Sequence, residues 1–246
     1  MFPFIAKRRR SATQLESILR KELDKFIKIY KRKPSSREFR LFIRKINNKL
    51  DSELNSAITS NLRQVWGREK SSVARELGVQ LSVNTTDLTA FQFMTNRKVF
   101  LGAISSLREK TVNQLQEVFE ETLANPDGYN LRELQGKIRN VAQTSDFRAE
   151  TIARTETNNI SIASRRVSYL QADPTDSFRY EHKGPDDRRT TDTSKRIKRR
   201  TRGGVSWQEY VKIVTEESAK DFPTWRVNPL APSSHWNSRH SPVRVQ

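Results

Sequence analysis

The sequence predicts a mostly α-helical protein with an elongated helical N-terminal part and a small C-terminal α+β domain. Apolar residues recur every three or four positions through the first two thirds of the chain, which is typical of amphipathic helices. Alternating segments typical of short strands appear only after residue 172. Because 34% of the residues are hydrophobic and 30% are charged, we expect a thin core. We place a boundary near residue 144, which gives regions 1–144 and 145–246.

The first region is expected to contain three long helices. The first covers residues 11–30 and opens with Ser11 and Gln14 at capping-box spacing. After a turn at Pro34, a second capping box of Ser35 and Glu38 begins a helix of more than 30 residues. Gly67 and the polar stretch 71–87 are expected to interrupt this helix. The third helix is predicted over 89–123, before the turn sequence ANPDGYN.

The second region mixes helices and strands. A short helix capped by Asn130 is followed by a helix over about 146–171. The sequence SFRYEHK then alternates as a strand does, and TWRV and PVRV are further short candidates. Between them SWQEYVKIVTEES predicts a helix, whereas residues 184–204 are polar and basic and indicate a loop.

The net charge of +18 is concentrated in two segments. Residues 1–50 hold 16 Lys/Arg against 4 Asp/Glu, and residues 183–202 hold 9 against 3. Focused positive charge attracts polyanions, with nucleic acid ahead of anionic lipid; the alternative is two solvated faces that only maintain solubility. The candidate DNA-binding cations lie at the chain start, at a turn and in the Gly-ended basic loop: Lys7, Arg8, Arg9, Arg10, Lys31, Arg32, Lys33, Lys195, Arg196, Lys198, Arg199, Arg200 and Arg202. Mobile cations of this kind neutralise phosphates without reading bases, so we expect non-specific binding of double-stranded DNA.

Several function classes lack their sequence features. The chain has no cysteine, no apolar run of about 18 residues and no apolar stretch of the secretory type, so we expect no disulfide, no membrane span and no secretion. Nucleotide-binding, esterase and zinc-protease motifs do not occur. We therefore predict a protein that is not an enzyme and has no cofactor or metal.

One catalytic alternative stays open. The histidines, together with three nearby or upstream carboxylates, include residue types that ligate a catalytic metal: His182, His235, His240, Asp186, Asp187 and Glu156. The C-terminal region would then be a metal-dependent nuclease or toxin-like domain on a helical stalk. Scattered residues without close spacing more often pack or form structural hydrogen bonds.

Three motifs in order resemble the phage head-morphogenesis family, the Mu F-like minor head proteins of tailed viruses. The first is the Arg154, Thr155, Glu156 cluster within IARTET, which is unusual on an otherwise ordinary helix. The family's D-x-R-T motif is matched by Asp187, Arg189 and Thr190, with Ile197 further on. The closing Pro-rich motif is matched by Pro232, His235 and Arg239. Ser194, Ser238 and His240 stand where the family often has His or Cys, so a metal or thiol site is not expected.

The resemblance implies a portal-associated minor head protein that acts in head morphogenesis and contacts packaged DNA. It implies that Arg154 and Glu156 lie against the later motifs, near Asp187, Arg189, His235 or Arg239; plain surface charge on the helix is the alternative. The implied partners are the portal protein and the major capsid protein, in the virion at the portal vertex and in the host cytoplasm during assembly. The apolar stripes of residues 13–66 are expected to pack on the portal or on a second copy of the chain. A non-viral DNA-binding protein is a third possibility.

Overall fold

A computed structural model describes residues 17–18, 21–22, 24–26, 28, 35–124, 130–235, 238 and 240–245. The described residues between 17 and 28 are helical, and the predicted Ser11 capping box lies outside the described residues. Six helices and two strands follow: α1 Ser36–Leu77, α2 Thr85–Thr95, α3 Lys98–Ala124, α4 Leu131–Ala172, β1 Arg179–Lys183, α5 Asp192–Arg200, α6 Trp207–Asp221 and β2 Ser241–Val245. The predicted fold class, mostly helical with a small C-terminal α+β part, is confirmed.

Helix α1 begins at the predicted capping box. The Glu38 carboxylate accepts a hydrogen bond from the Ser35 backbone amide at 2.7 Å, and the Glu38 amide donates to the Ser35 hydroxyl at 3.3 Å. The predicted interruption at Gly67 is wrong, because α1 is 42 residues long, passes through Gly67 and ends before Gly78. Gly78 has a φ of 66°, a left-handed conformation that glycine adopts at little cost, so the helix ends there.

The predicted helix over 89–123 is two helices. Asn84 caps α2 in a reciprocal capping box with Asp87, and α2 begins at Thr85, four residues before the predicted start. Asn96 and Arg97 then separate α2 from α3. The apolar period continues across this break, and this is why the sequence pattern did not reveal it.

Helix α4 joins two predicted helices into one of 42 residues. Its start is as predicted, since the Asn130 side chain accepts hydrogen bonds from the backbone amides of Arg132 and Glu133 at 3.0 and 3.2 Å. The predicted boundary near residue 144 falls inside this helix. The chain divides instead into a first unit, Met1–Ser60 with Lys98–Ala153, and a second unit, Asn61–Arg97 with Arg154–Gln246.

Aromatic residues form the centre of each unit. In the first unit Phe39 stacks on Phe119 with ring centroids 4.2 Å apart, and Phe26 lies 4.3 Å from Phe42. These rings fix α1 against α3 by burying large apolar surfaces.

The second unit contains the sheet. Strands β1 and β2 pair antiparallel, with Glu181 opposite Val243, and Tyr180 forms an additional bridge to Val205. The predicted strand at TWRV is absent, because residues 224–227 are turn and irregular backbone. Arg166 of α4 pairs with Asp176 and lies 4.5 Å over the Trp207 ring of α6, so one buried cation connects the long helix to the α+β part.

Candidate functional site

The Arg-Thr-Glu motif lies on α4, with Thr155 and Glu156 buried and Arg154 partly exposed. Glu156 pairs with the guanidinium of Arg97, from the short connection between α2 and α3. Asn159 donates a longer hydrogen bond to the same carboxylate at 3.4 Å. Burial raises the pKa of Glu156, and the nearby Arg97 charge opposes that shift. Sequence reasoning expected partners from the later motifs and missed Arg97, which is 59 positions away and has no local pattern to reveal it.

The second motif builds the turn that starts α5. The Thr190 hydroxyl donates to the Pro185 carbonyl at 2.9 Å and accepts from the Asp187 amide at 2.9 Å. The Asp187 carboxylate accepts from the Arg189 amide at 2.8 Å. The Arg189 side chain, expected near Glu156, is instead 78% exposed and faces Asp187 at 3.6 Å. Asp187 and Thr190 therefore shape the backbone locally.

The third motif contacts the second motif and α4, the helix that carries the first. Ser233 donates from its hydroxyl to the Asn159 side-chain oxygen at 3.2 Å, which connects it to α4. His235 lies with its Nε2 3.4 Å from the hydroxyl of Thr191, the residue that caps α5. We call Asn159, Ser233, Thr191 and His235 the motif junction. The sequence predicted that Arg154 and Glu156 contact the later motifs, whereas the hydrogen bonds of Glu156 described above are to Arg97 and Asn159. Of the four junction residues only His235 was among the predicted site residues, and Arg239 lies outside the described residues.

Two of the three histidines stack on each other. His182 is buried on β1, with its Nδ1 2.6 Å from the Tyr210 hydroxyl, and its ring stacks on His240 at 5.1 Å between centroids. Burial and the neighbouring His240 lower the pKa of His182 to about 3, so the imidazole is neutral at physiological pH. His235 lies against the Phe222 ring at 5.0 Å. Within the described part of the chain, no three His, Asp or Glu side chains are grouped to hold a metal ion.

The basic segment 195–202 is not the loop that the sequence predicted. Thr191 caps α5, which carries five of the six cations, and Ile197 is fully buried beneath it. Arg196 bonds to Glu217 and Asp221, each at 2.7 Å, while Arg200 bonds to Glu217 at 2.9 Å. Two exposed pairs accompany them, Lys195–Asp192 at 3.0 Å and Lys198–Asp186 at 2.8 Å.

Carboxylates therefore pair with four of the six cations of this predicted DNA-binding segment, two of them through α6. Arg199 and Arg202 are its exposed cations without an ion pair among the residues that the structure describes. The other predicted DNA-binding residues lie outside the described residues: Lys7, Arg8, Arg9, Arg10, Lys31, Arg32 and Lys33.

A second basic surface, which sequence reasoning did not single out, lies on α1 in the first unit. Its cations follow the exposed side of the helix and we call it the α1 basic face: Arg37, Arg40, Arg44, Lys45 and Lys49. A shallow groove of about 420 Å³ follows part of this face and is lined by Leu41, Arg44, Lys45, Asn48, Lys49 and Ser52. The high positive charge of residues 1–50 was visible in the sequence. The helical spacing that places these cations on one side of α1 was not considered.

We compared the chain with protein families, curated proteins and solved structures. No family model, curated protein or solved structure matches the chain. None of the described helices is long and apolar enough to cross a membrane.

Proposed function

We propose that the protein is a minor head protein of a tailed virus that is associated with the portal vertex. It acts in head morphogenesis and makes non-specific contact with packaged double-stranded DNA. The motif junction supports the proposal, because hydrogen bonds connect the third family-like motif to the second and to α4, the helix that carries the first. The portal protein is the main proposed partner, and the major capsid protein and a second copy of the chain are further ones.

The DNA-contact part of the proposal is supported by the charge. A chain with a net charge of +18 and an exposed helical face of cations attracts the phosphate backbone regardless of base sequence. Indifference to sequence suits a protein beside which any genome segment passes.

The location of the protein tests the proposal directly. Quantitative mass spectrometry of purified procapsids and mature particles should find this chain in both, and density for it should lie at the portal vertex. Absence from both particle types would refute the proposal.

Variants at the motif junction test the observation that carries it. Ser233→Ala and Asn159→Ala should lower incorporation into particles, because they remove the hydrogen bond between α4 and the third motif. The matched control is Ser71→Ala, which removes a serine hydroxyl bonded only within α1, at 3.0 Å to the Gly67 carbonyl, and should incorporate normally. Equal incorporation of all three variants would remove the support that the junction gives.

A further inference from the structure

The α1 basic face is opposite to the side of the helix that enters the core. Phe39, Phe42, Ile46 and Leu50 recur at three and four residues and are buried. Arg37, Arg40 and Arg44 recur at the same spacing on the other side and are exposed. Because the buried side fixes the rotation of α1, these three guanidinium groups are presented together to solvent.

A buried carboxylate holds the neighbouring lysines. Glu22 has a side chain that is 1% exposed, and it accepts hydrogen bonds from Lys49 at 2.6 Å and from Lys25 at 3.1 Å. Lys45 lies 3.2 Å from its other oxygen. The hydrogen bond from Lys49 is the largest cause that lowers the pKa of Glu22 to about 2, so the carboxylate stays ionised. Glu22 thus positions three ammonium groups, and because Glu53 also lies 3.8 Å from Lys49, the three lysines and two carboxylates keep a small net positive charge.

The face has the dimensions of a stretch of nucleic-acid backbone. From Arg37 to Lys49 the helix rises about 18 Å at 1.5 Å per residue. One strand of duplex DNA presents a phosphate about every 3.4 Å of axial rise and winds around that axis, so a straight face of this length reaches several phosphates but not every successive one. A single small anion would use only a fraction of these cations. In contrast to the 195–202 segment, none of Arg37, Arg40 and Arg44 forms an ion pair among the described residues.

We infer that the α1 basic face is the main DNA-contacting surface of this protein and that it binds the phosphate backbone of double-stranded DNA. This inference rests on the proposed DNA contact and assigns it to a surface that none of the predicted DNA-binding residues belongs to. Arginine forks form paired hydrogen bonds with phosphate oxygens, and the lysines add point charges beside them. The groove-lining Leu41 is the one large apolar side chain that the face exposes, which is too little for insertion into a lipid surface.

The test is the affinity of the full chain for two unrelated duplexes as a function of salt. Arg37→Gln, Arg40→Gln and Arg44→Gln together should lower the log–log salt slope by about 2 to 3, because each lost phosphate contact removes about 0.9. The dissociation constant should rise at least about tenfold near physiological salt for both duplexes. Arginine-to-lysine changes at the same three positions keep the charge and should keep most of the slope. Circular dichroism melts should agree for all variants, since the three side chains are exposed.

The rival site supplies the matched control. Lys195→Gln, Arg199→Gln and Arg202→Gln together remove the same charge from the C-terminal segment and should change the slope by less than one contact, about 0.9. A slope that falls in this control and not in the α1 triple variant would overturn the inference while leaving non-specific DNA contact in place. Wild-type protein that binds neither duplex would overturn both. Equal affinity for poly-glutamate of the same charge would assign the face to acidic protein surfaces and overturn the inference. The proposed function would still be tested separately, by the location of the protein in purified particles.

Discussion

The buried ion pair of Lys70 and Asp87 gives the sharpest stability prediction for the second unit. Their side chains are 2% and 1% exposed, and the Lys70 ammonium lies 2.7 Å from the Asp87 carboxylate. Trp66 and Gln171 each donate to that carboxylate at 2.9 Å. The pair thereby joins α1, α2 and α4, and neither charge has water as an alternative partner.

Asp87→Asn keeps the shape and an acceptor oxygen but leaves the ammonium without a counter-charge. Breaking a buried pair from one side costs about 3–5 kcal/mol. We expect a loss of about 4–5 kcal/mol, because both carboxylate oxygens accept hydrogen bonds and the Asn NH2 group would face a donor in place of one of them. Lys70→Met leaves a buried carboxylate and should cost about 3–5 kcal/mol. The double variant removes both charges and should be less destabilised than either single variant.

Urea unfolding followed by tryptophan fluorescence measures the unfolding free energy of the second unit. All four tryptophans, Trp66, Trp207, Trp225 and Trp236, fall in the residue ranges of the second unit. The slope of unfolding free energy against urea should be unchanged, so the midpoint reports stability. A loss of less than about 1 kcal/mol for Asp87→Asn, which is the size seen for exposed pairs, would refute the reasoning. Additive losses in the double variant would refute it too.

Three further predictions concern pH, metal and the portal. Burial alone would raise the pKa of the Glu217 carboxyl. Hydrogen bonds from Lys220, Arg196 and Arg200 outweigh burial and lower this pKa to about 2. The stability from this lowered pKa is present above the unfolded value of 4.5 and lost as pH falls towards 2, so Glu217→Gln should flatten the wild-type fall in melting temperature over that range. Chelator should leave the melting temperature unchanged, and elemental analysis should find no stoichiometric zinc; a chelator-sensitive melt would revive the nuclease alternative. Leu101 and Phe147, 42% and 72% exposed in the first unit, should contact the portal, so changing both to Glu should abolish co-purification with it, whereas Val79→Glu in the second unit should not. Retained co-purification of the double variant would exclude this surface.

The sequence determined the helical class and most element starts because these depend on local chemistry. Apolar residues at helical spacing predicted α1, and the caps at Ser35 and Asn130 placed two helix starts correctly. Alternation located β1 and β2. Helix ends and breaks were less visible, since the turn at Asn96 and Arg97 does not disturb the apolar period.

Tertiary structure decided which charges are neutralised and which face solvent. Helix α5 is too short and polar to be predicted by periodicity, and it is held by the Thr191 cap, by buried Ile197 and by carboxylates 17 to 25 residues away. Arg97 pairs with Glu156, 59 residues further along the chain, and Glu22 pairs with Lys49, 27 residues further along. The sequence counts such charges but cannot pair them, because the strength of an ion pair depends on distance and burial that only the folded chain supplies.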